Sequence, residues 1–162
     1  MQELKLRILE EIIATTRSAI ETAETGRKTA EKESRFHKGA MQSRYDTFKE
    51  EAQYLAGAFE KNLSELRQQL GTLEVLRNNP PKIEHGSLYA LIKLEDCNSG
   101  ERLYYFLLPA GGGTEHEDDG KTITVISLGT PISSALIGKH EDDEVTVRLK
   151  NSKRELLILS IE

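Results

Sequence analysis

The sequence is poor in cysteine and in aromatic residues. Its 162 residues include one cysteine, Cys97, and no tryptophan, and only 6% are aromatic. A single cysteine cannot form an intramolecular disulfide and cannot by itself hold zinc. No apolar run is long enough to cross a bilayer, and no N-terminal stretch has the apolar centre of a secretion signal. We therefore expect a cytoplasmic protein without a membrane partner.

Proline is absent from the first 79 residues, where apolar residues recur every three or four positions. This spacing is typical of helices packed along one side. The stronger stripe consists of Tyr45, Phe48, Ala52, Leu55, Phe59, Leu63, Leu66, Leu70 and Leu73. A weaker stripe runs from Leu9 to Ala30. The sequence therefore predicts a helical coiled coil over residues 1–79.

Gly39 lies midway between the two stripes and is the natural place for a turn. A turn there predicts an antiparallel hairpin in which Leu9 lies near Leu70 and Ala23 near Leu55. The alternative is one continuous helix that forms a parallel coiled-coil dimer. Gly39 and the poor apolar register around it favour the hairpin.

After Asn79 the apolar residues alternate or form short runs, which is typical of strands. We predict a small antiparallel β domain over residues 80–162 with one short helix. The five predicted strands are Leu88–Glu95, Leu103–Leu108, Thr122–Ser127, Glu144–Leu149 and Arg154–Ile161. The long segment Ala110–Gly120, with His116 among carboxylates, is predicted to be a mobile acidic turn. The fold class is thus α+β, a helical hairpin followed by a β domain.

The short helix belongs to the run TPISSALIGKHEDDEV, Thr130 to Val145. Thr130 is a good N-cap, and Pro131 suits the first helical position. Gly138 should end the helix as its C-cap. We predict that Ile132, Leu136 and Ile137 pack against one face of the sheet.

Charge is distributed unevenly along the chain. The net charge of −5 comes entirely from residues 80–162, whereas residues 27–44 contain six basic and two acidic side chains. The hairpin tip is therefore predicted to be basic on an otherwise acidic protein. Its candidate functional residues are Arg35, His37, Lys38, Arg44, Asp46 and Glu50.

The run from Thr130 to Val145 resembles the C-terminal motif of the bacterial GreA/GreB transcript-cleavage factors. Pro131, Ala135, Leu136, Gly138, Lys139, Asp143 and Val145 fit that motif. Thr130 replaces the usual serine, and Asp142 stands where the family has glycine. The hairpin segments around Tyr45 and Tyr54 and the turn starting at Pro109 are similar to a divergent branch of the same family.

The resemblance implies an RNA polymerase-binding elongation regulator that is not itself an enzyme. It implies that the β domain has an FKBP-like fold and docks at the rim of the polymerase's secondary channel, with Thr130, Pro131 and Ile132 at the contact. The hairpin would then enter the channel, where its tip could contact nascent RNA indirectly. No cofactor or small-molecule substrate is expected, apart from a Mg²⁺ shared with the polymerase active site through Asp46 and Glu50.

The predicted tip departs from the family pattern, because residues 35–44 contain no carboxylate. The nearest acids are Glu33 on one arm and Asp46, Glu50 and Glu51 on the other, with Asp46 and Glu50 one helical turn apart. In a different alignment Thr47 stands where the family has an essential aspartate and Glu50 is kept. The acidic pair is incomplete, so the sequence predicts polymerase binding more firmly than stimulation of transcript cleavage. The alternative hypothesis is a helical-hairpin adaptor with no role in transcription. A pull-down of core polymerase separates the two.

Overall fold

Two long helices account for the first half of the chain, as the spacing of apolar residues predicts. In this computed structural model, α1 spans Gln2–Phe36 and α2 spans Gln42–Asn78. Residues 2–36, 42–149 and 152–162 are described, without the side chains of residues 33–36, 42–49, 52 and 149. The predicted turn at Gly39 lies outside these ranges. Helix α2 ends just before Pro80 and Pro81, which lack the N–H groups that a helix needs.

The chain forms two compact units, and each long helix contributes to both. One unit consists of Met1–Ile13 with Thr72–Glu162, and the other of Ala14–Gly71. The predicted division into residues 1–79 and 80–162 coincides with the end of α2 and stays a prediction. In the described ranges, neither long helix has a stretch of the apolarity that crossing a bilayer requires.

In the unit Ala14–Gly71 the two helices pack antiparallel, so the predicted hairpin is confirmed. Arg67 of α2 lies 2.7 Å from the carboxylate of Glu24 on α1, and Arg27 of α1 lies 3.8 Å from that of Glu60 on α2. The residue with the lower number on α1, Glu24, contacts the residue with the higher number on α2, Arg67. This order of contacts occurs only between antiparallel helices. These contacts within one chain exclude the alternative of a single continuous helix.

The predicted register of the hairpin is wrong by about one heptad. Pairing Ala23 with Leu55 would place Gly26 opposite Ala52, whereas a Cβ at Gly26 would lie 3.2 Å from the ring of Phe59. Leu55 is correspondingly half exposed. Residues seven positions apart lie on the same face of a helix. If α2 is moved by seven residues along α1, the same face still meets α1, so the heptad pattern fits the predicted and the observed register equally.

The second half forms a six-stranded sheet with one short helix. The elements in chain order are β1 Leu91–Asp96, β2 Arg102–Leu108, β3 Glu115–Asp118, β4 Lys121–Ser127, α3 Pro131–Leu136, β5 Glu144–Leu149 and β6 Ser152–Ile161. The spatial order is β3-β4-β2-β1-β6-β5. All neighbours are antiparallel except β2 and β4, which run parallel, so the sheet is mixed where we predicted an antiparallel one. The hairpin, the β domain and its single short helix are otherwise as predicted.

Strand β3 corrects the prediction of a mobile turn at Ala110–Gly120. The strand pairs with β4, and His116 is largely buried there. Two side chains of α1 contact it: Arg7 lies 3.0 Å from the carboxylate of Asp118, and Glu11 lies 3.1 Å from Nδ1 of His116. The segment has no apolar alternation, and its local signal is the two-residue turn Asp119-Gly120, with both residues at positive φ, which joins β3 to β4 as a tight hairpin.

The core of the β domain lies on the face that carries α3. Its buried members come from five strands, from Ala90 just before β1 and from the helix, and they include Ile92, Leu94, Leu107, Ile126, Leu136, Val147, Leu156 and Ile158. Leu136 is fully buried, which ties the position of α3 to the packing of the sheet. Removing such a side chain costs about 2–5 kcal/mol, so α3 is a fixed part of the domain.

A buried lysine lies at the start of α1. Nζ of Lys5 donates a hydrogen bond of 2.9 Å to the main-chain oxygen of Glu162 and lies 4.3 Å from the centroid of the Tyr89 ring. Burial lowers the pKa of Lys5 from its ordinary 10.5 to about 8, and the negative charge of Glu162 partly opposes this shift.

Lys5→Met is expected to change how stability depends on pH. Between pH 8 and 10.5 the unfolded chain binds a proton at Lys5 that the folded chain has released, so the wild-type free energy of unfolding rises through this window. Methionine cannot titrate. Urea unfolding of both proteins at pH 7, 8.5 and 10 should show the wild type gaining stability relative to the variant. If the free energies of unfolding of the wild type and the variant changed with pH in the same way, the lowered pKa of Lys5 would be contradicted.

Candidate functional site

Helix α3 begins at a fully satisfied N-cap. The Oγ1 of Thr130 accepts a hydrogen bond of 3.1 Å from the main-chain N–H of Ser133, and Oγ of Ser133 accepts one of 3.1 Å from the N–H of Thr130. Pro131 occupies the first helical position. The prediction for Thr130 and Pro131 is confirmed, whereas Ser133 was missed. A serine three positions after a capping threonine could have indicated this reciprocal capping.

The end of α3 differs from the prediction in one side chain. The C-cap is Ile137, with an extended backbone, and Gly138 follows at φ +75°. Ile137 was expected to pack against the sheet, but 46% of its surface is exposed. Because the chain leaves the helical conformation at this residue, its side chain no longer follows the buried face that Leu136 occupies.

A loop glycine holds the end of α3 in place. The N–H of Gly86 donates to the oxygen of Lys139 and the oxygen of Gly86 accepts from the N–H of Gly138, both at 2.7 Å. A Cβ at Gly86 would lie 1.9 Å from the main-chain oxygen of Leu136. We call this contact the Gly86 clamp. Sequence reasoning missed it, because nothing local to Gly86 indicates its distant partner.

The acidic segment after α3 is structural. The carboxylate of Asp143 accepts a 2.8 Å hydrogen bond from the N–H of His140, and that of Glu141 accepts a 3.0 Å bond from the N–H of Ile161. The main chain of residues 142–143 also pairs with Ile158. These bonds fasten the exit of α3 to β6. Within the described ranges no three metal-ligating side chains come together here or elsewhere.

Asp142, which stands where the resembled motif has glycine, has φ +66°. Glycine adopts this left-handed conformation freely, whereas a residue with a Cβ pays about 1 kcal/mol. Aspartate is one of the few residues that tolerate it. The departure from the motif therefore keeps the backbone shape that the motif requires.

Asp142→Gly is accordingly expected to stabilise the protein by up to about 1 kcal/mol, since it relieves the strain at positive φ and loses part of that gain to the larger entropy of the unfolded glycine. Chemical denaturation measures the change. Glu141→Gly is the matched control, and it should destabilise because Glu141 accepts a hydrogen bond from Ile161. A loss of stability at Asp142 equal to that of the control would contradict the strain argument.

Helix α3 is flanked by exposed apolar side chains. Leu128, before the N-cap, and Ile137, after the last turn, are each 46% exposed, and Pro131 is exposed between them. We call these three residues the α3 surface. Of the predicted docking residues, only Pro131 is fully available, because Oγ1 of Thr130 is engaged in the cap and Ile132 is half buried against the core. Leu128 and Ile137 were not predicted.

The predicted tip lies mostly outside what the structure describes. His37 and Lys38 fall in the gap between α1 and α2, and only the backbone is described for Arg35, Arg44 and Asp46. Asp46 and Glu50 lie on α2 four positions apart, as predicted, and the side chain of Glu50 is exposed. The side chain of Asp46 lies outside the described part of the chain, so a Mg²⁺ shared with the polymerase through this pair stays a prediction.

Comparison with known proteins gives concordant matches. The family model described as "Transcription elongation factor, GreA/GreB, C-term" matches residues 87–162. Transcription elongation factor GreB of Xanthomonas axonopodis pv. citri is 28% identical over 106 residues, which cover 65% of this chain and 60% of that protein. The alignment thus spans less than two thirds of this relative's length. The crystal structure of GreA factor homolog 1 (Gfh1) of Thermus thermophilus aligns over 97% of this chain and 94% of that one, at 18% identity and a TM-score of 0.39.

One relative is similar over a larger part of its own length. Transcription elongation factor GreA of Methylococcus capsulatus is 35% identical over 123 residues, covering 70% of this chain and 72% of that protein. This similarity confirms the resemblance seen in the run from Thr130 to Val145. The chain belongs to the GreA/GreB family of transcription elongation factors.

Proposed function

We propose that this protein is an RNA polymerase-binding regulator of transcription elongation. Its β domain docks at the rim of the secondary channel through the α3 surface, and its helical hairpin enters the channel. The observation that carries the proposal is a pair of exposed apolar side chains, Leu128 and Ile137, that flank a rigidly held helix in a chain of the GreA/GreB family.

The α3 surface has the properties of a docking contact. Leu128 and Ile137, at the two ends of α3, each expose a large apolar side chain to solvent, and a partner that covers α3 would bury both. The reciprocal Thr130–Ser133 cap and the Gly86 clamp hold the helix before a partner arrives. Little conformational entropy is then lost on binding, which favours affinity.

The hairpin acts by occupying the channel and by charge. The predicted tip, residues 35–44, carries basic side chains and no carboxylate. Arg27, further from the tip, is already paired with Glu31 and Glu60, so its charge is partly neutralised. The remaining basic residues can contact phosphates in a salt-sensitive way. We propose that the protein obstructs substrate entry or acts on paused complexes without delivering a metal ion.

A pull-down at modest salt tests the proposal against the adaptor hypothesis. The tagged protein is expected to retain the subunits of core RNA polymerase from the bacterium that encodes it. A non-transcriptional adaptor would retain other proteins and no polymerase. Absence of polymerase subunits with the folded protein on the resin would therefore overturn the proposal.

Transcript cleavage on stalled elongation complexes tests the role of the acids. With an incomplete acidic pair, we expect weak stimulation by the purified protein, and alanine at Glu33, Asp46 and Glu50 should change it little. Polymerase binding measured in parallel is the control for folding. Robust cleavage that this triple substitution abolishes would show metal delivery by the hairpin.

A further inference from the structure

A second site lies between the start of α1 and the sheet, within the unit Met1–Ile13 with Thr72–Glu162. It is a cavity of about 510 Å³. Apolar side chains form much of its wall, together with one buried amine. The lining residues are Gln2, Lys5, Leu6, Pro80, Pro81, Lys82, Ile83, Tyr89 and Glu162. None of them belongs to the α3 surface or to the predicted hairpin tip.

The amine of Lys5 lies at the wall of this cavity. Only 5% of the residue is exposed, and two partners of its Nζ, Glu162 and the ring of Tyr89, line the same cavity. Lysine is almost never fully buried unless it is paired, and the nearest groups to this Nζ are one main-chain oxygen and the rings of Tyr89 and Phe106, with the negative charge of Glu162 in range. A stability role alone does not explain this arrangement, because a buried charge costs free energy.

Tyr89 is held in a strained conformation at the same place. Its φ is +71°, a left-handed value that bulky side chains avoid. The residue is buried, and its ring lies edge-on to Phe106 with centroids 5.5 Å apart. Such strain costs about 1–3 kcal/mol and is found where function requires a particular geometry. Here the strain places the ring over the amine of Lys5.

The surroundings make the amine nucleophilic near neutral pH. Burial lowers the pKa of Lys5 to about 8, so roughly half of the amine is uncharged at pH 8 and about a tenth at pH 7, against less than about 1% for an ordinary lysine. Three groups line the cavity around it. The negative charge of Glu162 partly opposes the lowering of the Lys5 pKa. Burial raises the pKa of Tyr89, so its phenol stays neutral. Lys82 is exposed to solvent.

We propose that Lys5 is an acyl-acceptor site, at which Nζ takes a short acyl group from an acyl phosphate that enters the cavity. The uncharged amine attacks the carbonyl carbon and forms a C–N bond. The bond between that carbon and the phosphate oxygen breaks, and inorganic phosphate leaves with the electron pair. One amine proton passes to solvent. The product is an amide whose acyl chain lies against Leu6, Pro80 and Ile83.

Acylation would change the contacts of Lys5 in a defined way. The amide keeps one N–H, which can still donate to the oxygen of Glu162. The positive charge beside the Tyr89 ring is lost, and with it the cost of burying an ammonium group. The acylated protein should therefore lose the pH-dependent stability change described for Lys5, as Lys5→Met does.

The test is site-resolved mass spectrometry after incubation of the whole protein with acetyl phosphate between pH 6.5 and 10. Lys82 is the internal control, because it lines the same cavity with an exposed side chain. We expect Lys5 to be acetylated at least about tenfold faster than Lys82 at pH 7.5, with a rate that levels off above pH 8. A Lys5 rate equal to or below that of Lys82 would overturn the proposal.

A second variant tests entry through the cavity. Leu6 lines the cavity and is 38% exposed, so Leu6→Trp can narrow it without replacing a buried side chain. The Lys5 rate should fall severalfold, while the Lys82 rate and the pH at which the Lys5 rate levels off stay the same. An unchanged Lys5 rate would show that the donor does not use the cavity and would also reject the proposal.

Discussion

Replacing Gly86 by alanine is expected to lower the free energy of unfolding by about 3 kcal/mol, near the upper end of what overpacking costs. The new Cβ would lie 1.9 Å from the main-chain oxygen of Leu136 and 2.9 Å from its carbonyl carbon. Both are backbone atoms, so no change of rotamer relieves the overlap. The loop must move away from α3, and the two 2.7 Å hydrogen bonds of the Gly86 clamp are lost or lengthened.

Gly71→Ala is the matched control for this substitution. Gly71 lies inside α2, and a Cβ there would have no neighbour within 4 Å. Alanine should therefore stabilise that helix by about 0.5–1 kcal/mol. If the Gly86 clamp is as described, urea denaturation should show a lower free energy of unfolding for Gly86→Ala and a higher one for Gly71→Ala than for the wild type. A Gly86→Ala protein as stable as the wild type would contradict it.

Ile137→Asp is expected to weaken the binding of RNA polymerase about a hundredfold, as a loss of roughly 3 kcal/mol at a central apolar contact implies. Ile137 exposes 46% of its surface in the free protein, so an aspartate there remains solvated and costs little stability. In the proposed complex the same carboxylate would be buried against an apolar partner without compensation. Titration of labelled protein with core polymerase measures the change.

Val75→Asp is the control for this effect. Val75 is 61% exposed on α2, in the same compact unit but not in the α3 surface. Val75→Asp also replaces an exposed β-branched residue by aspartate, so it changes the net charge of the protein by the same amount as Ile137→Asp. Its affinity for polymerase should stay within about twofold of the wild type. Equal losses at both positions would indicate a general charge effect and would reject the α3 surface as the contact.

Regular patterns in the sequence were sufficient to predict the helical hairpin and five of the six strands. They could not fix the register of the hairpin, because Phe59 and Ala52 lie on the same face one heptad apart. That choice depends on particular contacts such as the one between Arg67 and Glu24, which join residues 43 positions apart.

Two of the features that the sequence did not reveal have distant causes, and one has a local cause. Strand β3 has no apolar alternation, but the turn Asp119-Gly120 that joins it to β4 is a hairpin signal that could have indicated it. Gly86 owes its role to the backbone of Leu136, and the burial of Lys5 depends on Tyr89 and Glu162. By contrast, Thr130, Pro131 and Gly138 form a local helix signal, from which the start of α3 was predicted correctly and its C-cap was placed one residue too late, at Gly138 where the structure has Ile137.

Competition for core RNA polymerase tests the central claim most directly. Polymerase is first loaded with a fluorescent GreA relative, and the unlabelled protein is then added while fluorescence anisotropy is recorded. If the α3 surface docks at the rim of the secondary channel, the wild type displaces the labelled GreA and Ile137→Asp does not. Stable binding of the wild-type protein to polymerase with no displacement of GreA would contradict the proposed docking.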